Sequence, residues 1–144
     1  MSSSFFYGFV ERKKFHADSD IHITLEDQQK INRFARHNAK WEELREDLKS
    51  KKADLQNLED ATNDVDEAEL SDEPGPIPFV VGEVFVHLSI DEAREKLEEA
   101  KQKAKKDIES LEAEITGVKA AMSDLKTQLY AKFGSSINLE AEEE

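Results

Sequence analysis

Apolar residues recur at alternating steps of three and four through two long stretches of this chain, and nothing constrains its fold more. The first stretch reads Ile31, Phe34, Asn38, Trp41, Leu44, Leu48, Lys51, Leu55, Leu58, Thr62 and Val65. The second reads Ile90, Ala93, Leu97, Ala100, Ala104, Ile108, Leu111, Ile115, Val118, Met122, Leu125 and Leu129. This is the heptad seam of a coiled coil. Two threes in succession around Trp41 and two fours near Ala104 mark local discontinuities of the supercoil. Between the stretches lies "DEPGP" at 72–76. Pro74 and Pro76 remove backbone donors and clash with a preceding turn, so no single helix can run through. Two helices joined by a short connection must pair antiparallel.

The helix boundaries carry their own signals. In "TLED", Asp27 stands three residues after Thr24, the pattern of a capping box, so helix one is expected over 24–66. In "SIDE", Glu92 stands three residues after Ser89, and helix two is expected over 89–133. Phe133-Gly134 reads as a helix end with glycine in the left-handed position. Each helix would span roughly 65 Å at about 1.5 Å per residue, well beyond the globular mean. Residues 1–20 show no clear period and read as a flexible arm, 67–76 as an acidic linker and 140–144 as an acidic tail. Asn38 and Lys51 are polar seam positions, either fixing register or simply tolerated.

Residues 77–88, "IPFVVGEVFVHL", form the one convincing β-segment. Gly82-Glu83 suits a two-residue type II′ turn. Val81 would then pair with Val84, Phe79 with Val86, and Ile77 with Leu88. One face of this hairpin carries those six apolar side chains. The other carries Pro78, Val80, Phe85 and His87. A lone hairpin is marginal in water, and such a face is too apolar to leave wet. It either folds back on its own helices or packs against other chains. The narrow seam beside it is already filled, which favours assembly through Ile77, Phe79, Val81, Val84, Phe85, Val86 and Leu88.

Composition supports an extended, solvated coil more than a deep private core. Hydrophobic residues make up 38% of the chain and charged residues 37%, against the roughly 25% charged of ordinary globular domains. The net charge of −13 is concentrated. Asp64, Asp66, Glu67, Glu69, Asp72 and Glu73 form one acidic cluster; Glu140, Glu142, Glu143 and Glu144 form another. Without these ten, the remaining 23 acids nearly balance the 20 Lys and Arg. No basic stripe favours nucleic acid or anionic membranes, which disfavours a nucleic-acid-associated coil. The acidic tail either merely solvates or recognises a basic partner. There is no cysteine, which fits a reducing compartment. The apolar run from Phe5 to Val10 is too short for a membrane span or signal segment. A soluble cytoplasmic protein is expected.

No chemistry is legible. His16, His22, His37 and His87 lack metal-ligand spacing, and the carboxylates sit at helix-surface spacings where ion pairs with lysine explain them. No phosphate-binding glycine loop or nucleophile constellation is present. Neither enzyme activity nor a cofactor or metal is expected.

Helix, one hairpin, helix, with both termini at the far end of the coil, resembles a β-class subunit of the prefoldin family. "LEDQQKINRFAR" at 25–36, "LQNLEDA" at 55–61, the "IP…GEVF" hairpin and "DLKTQLYAKFGSSINLEAEE" at 124–143 carry the resemblance, which covers 21–143. An α-class subunit would need two hairpins. The segment before residue 20 departs from the family pattern, so no family role passes to it. Its Phe5, Phe6, Tyr7 and Phe9 either form a client-binding arm or a variant end.

The resemblance implies a mainly α fold: a long antiparallel two-helix coiled coil whose single hairpin, over 77–88 within a domain at 21–139, joins an intersubunit β-barrel. It implies a heterohexamer, with two α-class and three further β-class partners. It implies capture of unfolded proteins, actin and tubulin above all, without ATP, and their delivery to the cytosolic chaperonin. Client contact would fall to the distal ends of the coil, here Ile21, Ile23, Leu25, Ile31, Phe34, Leu129, Tyr130, Phe133, Ile137 and Leu139. Against this, Leu129 and Phe133 also suit ordinary coil packing, and Ile137 and Leu139 suit a disordered or folded-back tail. A coiled-coil scaffold joining some other permanent complex through its hairpin is the second reading.

Overall fold

The computed structural model describes residues 22–71, 74–81 and 84–139. In order they form α1 (Leu25–Glu69), β1 (Ile77–Val81), β2 (Val84–Leu88), α2 (Ile90–Phe133) and a 3-10 turn (Gly134–Ser136). Two long helices joined by a short antiparallel hairpin make up the fold, as the heptad spacing and "DEPGP" anticipate. The expected arm at 1–20, Ile21, the Gly82-Glu83 turn and the acidic tail at 140–144 lie outside the described residues.

The capping signals fold as the spacing requires. The Thr24 N–H donates to the Asp27 carboxylate at 3.0 Å, and the Asp27 N–H donates to the Thr24 hydroxyl at 3.1 Å. Two orphan donors of the first turn are thus satisfied reciprocally, with Asp in the usual place of Glu. At α2, the Glu92 N–H donates to the Ser89 hydroxyl at 3.2 Å.

The far end of α1 differs from expectation. The helix runs to Glu69, three residues past the expected stop at 66, so the acidic linker begins as helix. Glu67, Ala68 and Glu69 are good helix formers, but acids oppose the negative end of the helix dipole, and the last turn holds no basic residue. Arg94 of α2 supplies the missing cation: it donates to Asp66 at 2.9 Å and pairs with Glu69 as well. That contact lets the acidic turn persist. Beyond it the Ser71 hydroxyl closes back on the Ala68 carbonyl at 2.8 Å.

The chain divides into two compact units, Met1–Glu46 with Ala113–Glu144, and Asp47–Glu112. In the first, α1 and α2 run antiparallel: Asp27 meets Lys132, and Trp41 lies 5.6 Å below the Lys119 ammonium. Ile31, Phe34, Leu125, Leu129, Phe133, Ile137 and Leu139 form its buried core, with Met122 and Tyr130 packed alongside. Trp41, Leu44 and Asn38 are also buried. The Asn38 side-chain oxygen and the Trp41 indole N–H have no hydrogen-bond partner, so at this point the seam bears a desolvation cost.

In the second unit the helices are again antiparallel, with Lys51 3.6 Å from Asp107 and Lys52 3.8 Å from Glu112. Lys51 thus resolves its polar seam position through an ion pair. Val65, Ala93 and Leu97 form the buried core. Ala93 has no accessible surface, so the smallness of its side chain sets how closely its neighbours approach. Leu48, Leu55, Ile108 and Leu111 are only half-buried, because two helices cannot cover the flanks of their own seam. The hairpin register is Ile77 to Leu88, Phe79 to Val86 and Val81 to Val84, the pairing expected from a two-residue loop.

Candidate functional sites in the two units

The hairpin presents its two faces unequally. Ile77, Phe79 and Leu88 pack beside Val65, Ala93 and Leu97, together with Ile90, Leu58 and Ala61. Of the two alternatives for this face, the chain's own helices supply part of the cover. The reason is the small side chains at 61 and 93, which leave room for the strands to settle. Coverage is incomplete, because Ile77, Phe79, Val86 and Leu88 all remain half-buried. On the other face Val80 is 54% exposed, and Pro78 and His87 are exposed. The side chains of Val81, Val84 and Phe85 lie outside the described residues. The two strands carry one hairpin's worth of ladder, so their outer edges are left without a partner strand among the described residues.

The expected terminal cluster is closed, not frayed. Of its members, Ile31, Phe34, Leu129, Phe133, Ile137 and Leu139 are buried together, and Tyr130 is half-buried beside them. Ile23 and Leu25 stand apart at 39% and 76% exposure, and Ile21 lies outside the described residues. Of the alternatives for Ile137 and Leu139, the chain adopts the folded-back one. Gly134, at φ +56°, occupies the left-handed conformation that a side chain would strain, and turns the chain off the end of α2.

A polar clasp borders this core. Asp27 is buried and pairs with Lys132. Burial pushes its carboxyl up, but hydrogen bonds from the Lys132 ammonium and from the Thr24 backbone and hydroxyl outweigh it and hold the pKa at about 2. The Leu139 N–H donates to the Tyr130 hydroxyl at 3.0 Å. Sequence reading passed over both contacts. The first was legible in principle, since acids at the start of one helix and a lysine in the last turn of an antiparallel partner must meet. The second was not, because it depends on the turn at Gly134.

Among the described residues no group of histidines and carboxylates could hold a metal ion, and no helix is long and apolar enough to cross a membrane.

A family model described as "Prefoldin subunit" matches residues 28–136. The chain belongs to the prefoldin family. It is similar to prefoldin subunit 4 of Homo sapiens, with 48% identity covering 88% of this chain and 93% of the human protein. The probable prefoldin subunit 4 of Drosophila melanogaster is 44% identical, covering 91% of this chain and 93% of that protein. The Saccharomyces cerevisiae prefoldin subunit 4 is 31% identical, covering 85% and 92%. The matched region takes in α1 from residue 28, the hairpin, α2 and the Gly134 turn. As a prefoldin subunit the chain is a non-enzymatic component of a chaperone complex, with other prefoldin subunits as its partners. The single hairpin between two helices is the β-class arrangement that the sequence resemblance implied.

Proposed function

We propose that this chain is one of four β-class subunits of a six-chain prefoldin, joined through its hairpin to two α-class and three further β-class subunits. The complex captures unfolded actin and tubulin in the cytoplasm without ATP and passes them to the cytosolic chaperonin. One observation carries the reading. In a prefoldin subunit, the hairpin keeps Ile77, Phe79, Val86 and Leu88 only half-covered and exposes Val80, leaving apolar surface and free strand edges for sibling strands. Continuation of the ladder into a shared barrel is the cover that suits such a hairpin.

Client contact is proposed for the end of the coil that carries the chain termini. Ile23 and Leu25 supply open apolar surface there, and the buried Ile31, Phe34, Leu129, Phe133, Ile137 and Leu139, with the half-buried Tyr130, belong to the same unit. Weak contacts from several coil ends add through effective concentration, so no single one needs to be strong.

Burial of most of that cluster favours a second reading, in which this subunit serves assembly alone and its siblings hold clients. Reconstitution with the other subunits separates the two. A six-chain mass in a native spectrum, with suppression of unfolded-actin aggregation that weakens when Ile23 and Leu25 are replaced by serine, supports client contact. Unchanged suppression assigns the chain to assembly. A homodimer with no aggregation-suppressing activity would sink both.

A further inference from the structure

The segment after Gly134 sits in the terminal core as a guest sits in a site. The 3-10 turn at Gly134–Ser136 ends in extended backbone, with Ile137 at φ −126° and ψ 140°. From there side chains alternate: Ile137 is buried, Asn138 exposed, Leu139 buried. That period of two belongs to an extended strand, not to a helix continuing α2. The two apolar side chains pack with Ile31 and Phe34 of α1 and Leu125, Leu129 and Phe133 of α2. The backbone is held by the Leu139 N–H on the Tyr130 hydroxyl at 3.0 Å. A phenolic oxygen accepting from a main-chain N–H is indifferent to the side chain of the residue it holds. So is an aliphatic and aromatic floor, provided that the side chain is apolar.

We infer that the cleft between the start of α1 and the end of α2 is a binding site for extended polypeptide with apolar residues two positions apart, and that Ile137 and Leu139 are its resident occupant and compete with clients for it. Unfolded chains offer such segments, whereas folded proteins bury them. The inference rests on the reading that clients meet this end of the coil. A resident segment lowers the apparent affinity of a site by the fraction of time the site is open. It also keeps a floor of large apolar side chains from water when no client is present. Gly134 is the hinge, and the acidic residues after Leu139 raise the solubility of the segment once it is displaced.

The test uses the reconstituted prefoldin complex with full-length chain. Because this chain contains no cysteine, Leu25→Cys at the exposed first residue of α1 gives it a single attachment point, loaded with a photocrosslinker before the complex is reconstituted. Two probes are compared: a labelled ten-residue peptide with leucine at alternating positions, and the same peptide with aspartate in their place. Ile137→Ser with Leu139→Ser empties the cleft, and Tyr130→Phe removes one hydrogen bond while keeping the ring. If the segment is docked about nine-tenths of the time, the double variant should bind and crosslink the leucine peptide about tenfold more tightly. Tyr130→Phe should fall between it and the wild type, and the aspartate peptide should bind none of them. Hydrogen exchange over 22–46 and 113–133 verifies that the helices persist. If the double variant loosens them, the ordering of Tyr130→Phe against wild type decides. Equal or weaker peptide binding by the variants, with crosslinking still seen in the wild type, overturns the competition. Absence of crosslinks from either complex overturns the client reading itself and the inference with it.

Discussion

The two units use one spacing of apolar residues and reach opposite degrees of closure. In the first, large side chains such as Phe34, Leu129 and Phe133 are buried, and the chain's own folded-back segment completes the cover. In the second, only Val65, Ala93 and Leu97 are buried together, and the hairpin packs against them with its apolar face half-open. The heptad repeat specifies that helices pair. What covers the core of each unit decides whether its surface is finished within the chain or offered to others. A sheet with free edges and a half-covered face needs another chain before it is finished.

Breaking the open side should have the largest effect. Phe79→Asp with Val86→Asp places two charges on the half-buried face while leaving α1 and α2 intact. Both strands should lose their place in the assembly: the six-chain mass should vanish from the native spectrum while far-ultraviolet helicity stays near wild type. An unchanged hexamer mass would refute the role of this face. The closed side predicts the contrary pattern. Leu129, at 1% exposure, is among the most completely buried large side chains. Leu129→Ala should cost about 3 kcal/mol through lost transfer energy and a cavity. Urea unfolding of the full chain, followed through Trp41, the single tryptophan, would measure it. Assembly through the hairpin should persist.

Much of this contrast was legible in the residues and some of it was not. The seam positions, the Thr24 and Ser89 caps and the strand register follow from local spacing, and local spacing survives into the fold because nothing in the tertiary structure opposes it. The burial of Ile137 and Leu139 depends on a turn set by Gly134 and on their packing against Ile31 and Phe34 of the other helix, neither of which a period reveals. The partial cover of Ile77 and Phe79 depends on Val65 and Leu97, residues of the two helices that were read only as seam positions. The extension of α1 to Glu69 depends on Arg94, which comes from the other helix. In each case the missing information was a contact between distant segments.

Charge sharpens the comparison with smaller effects. In the closed unit, Asp27 is held well below the ordinary aspartate value of 3.8, at about 2, so its contribution is complete above the ordinary value and is lost as pH falls through about 2. Replacing it with alanine leaves Thr24 uncapped and Lys132 unpaired. Discounted for the 42% exposure of the Lys132 side chain, the cost at pH 7 should be about 1 kcal/mol. The gap between wild type and Asp27→Ala in urea unfolding should narrow between pH 4 and pH 2. A gap independent of pH would mean that the carboxylate's charge contributes nothing to the clasp.

The corresponding charge contact in the open unit should matter least, because it is exposed. Arg94 holds Glu69 below the usual carboxylate range chiefly through its hydrogen bond, so that contact too is present at neutral pH and lost on acidification. Arg94→Met keeps the aliphatic stem and removes the cation, leaving Asp66, Glu67 and Glu69 to oppose the negative end of α1 unassisted. Backbone exchange over 65–69 should then quicken at low salt and return toward wild type as salt rises, since exposed charges are screened beyond about 8 Å at physiological ionic strength. The hairpin contacts of Ile77 and Phe79 with Val65 should be unaffected, because they are apolar and rest on the preceding turn. If exchange instead quickens through the hairpin as well, and does so at every salt concentration, then the last turn of α1 is part of what holds the strands in place. The open unit would in that case depend on a surface ion pair for the order that the closed unit obtains from burial.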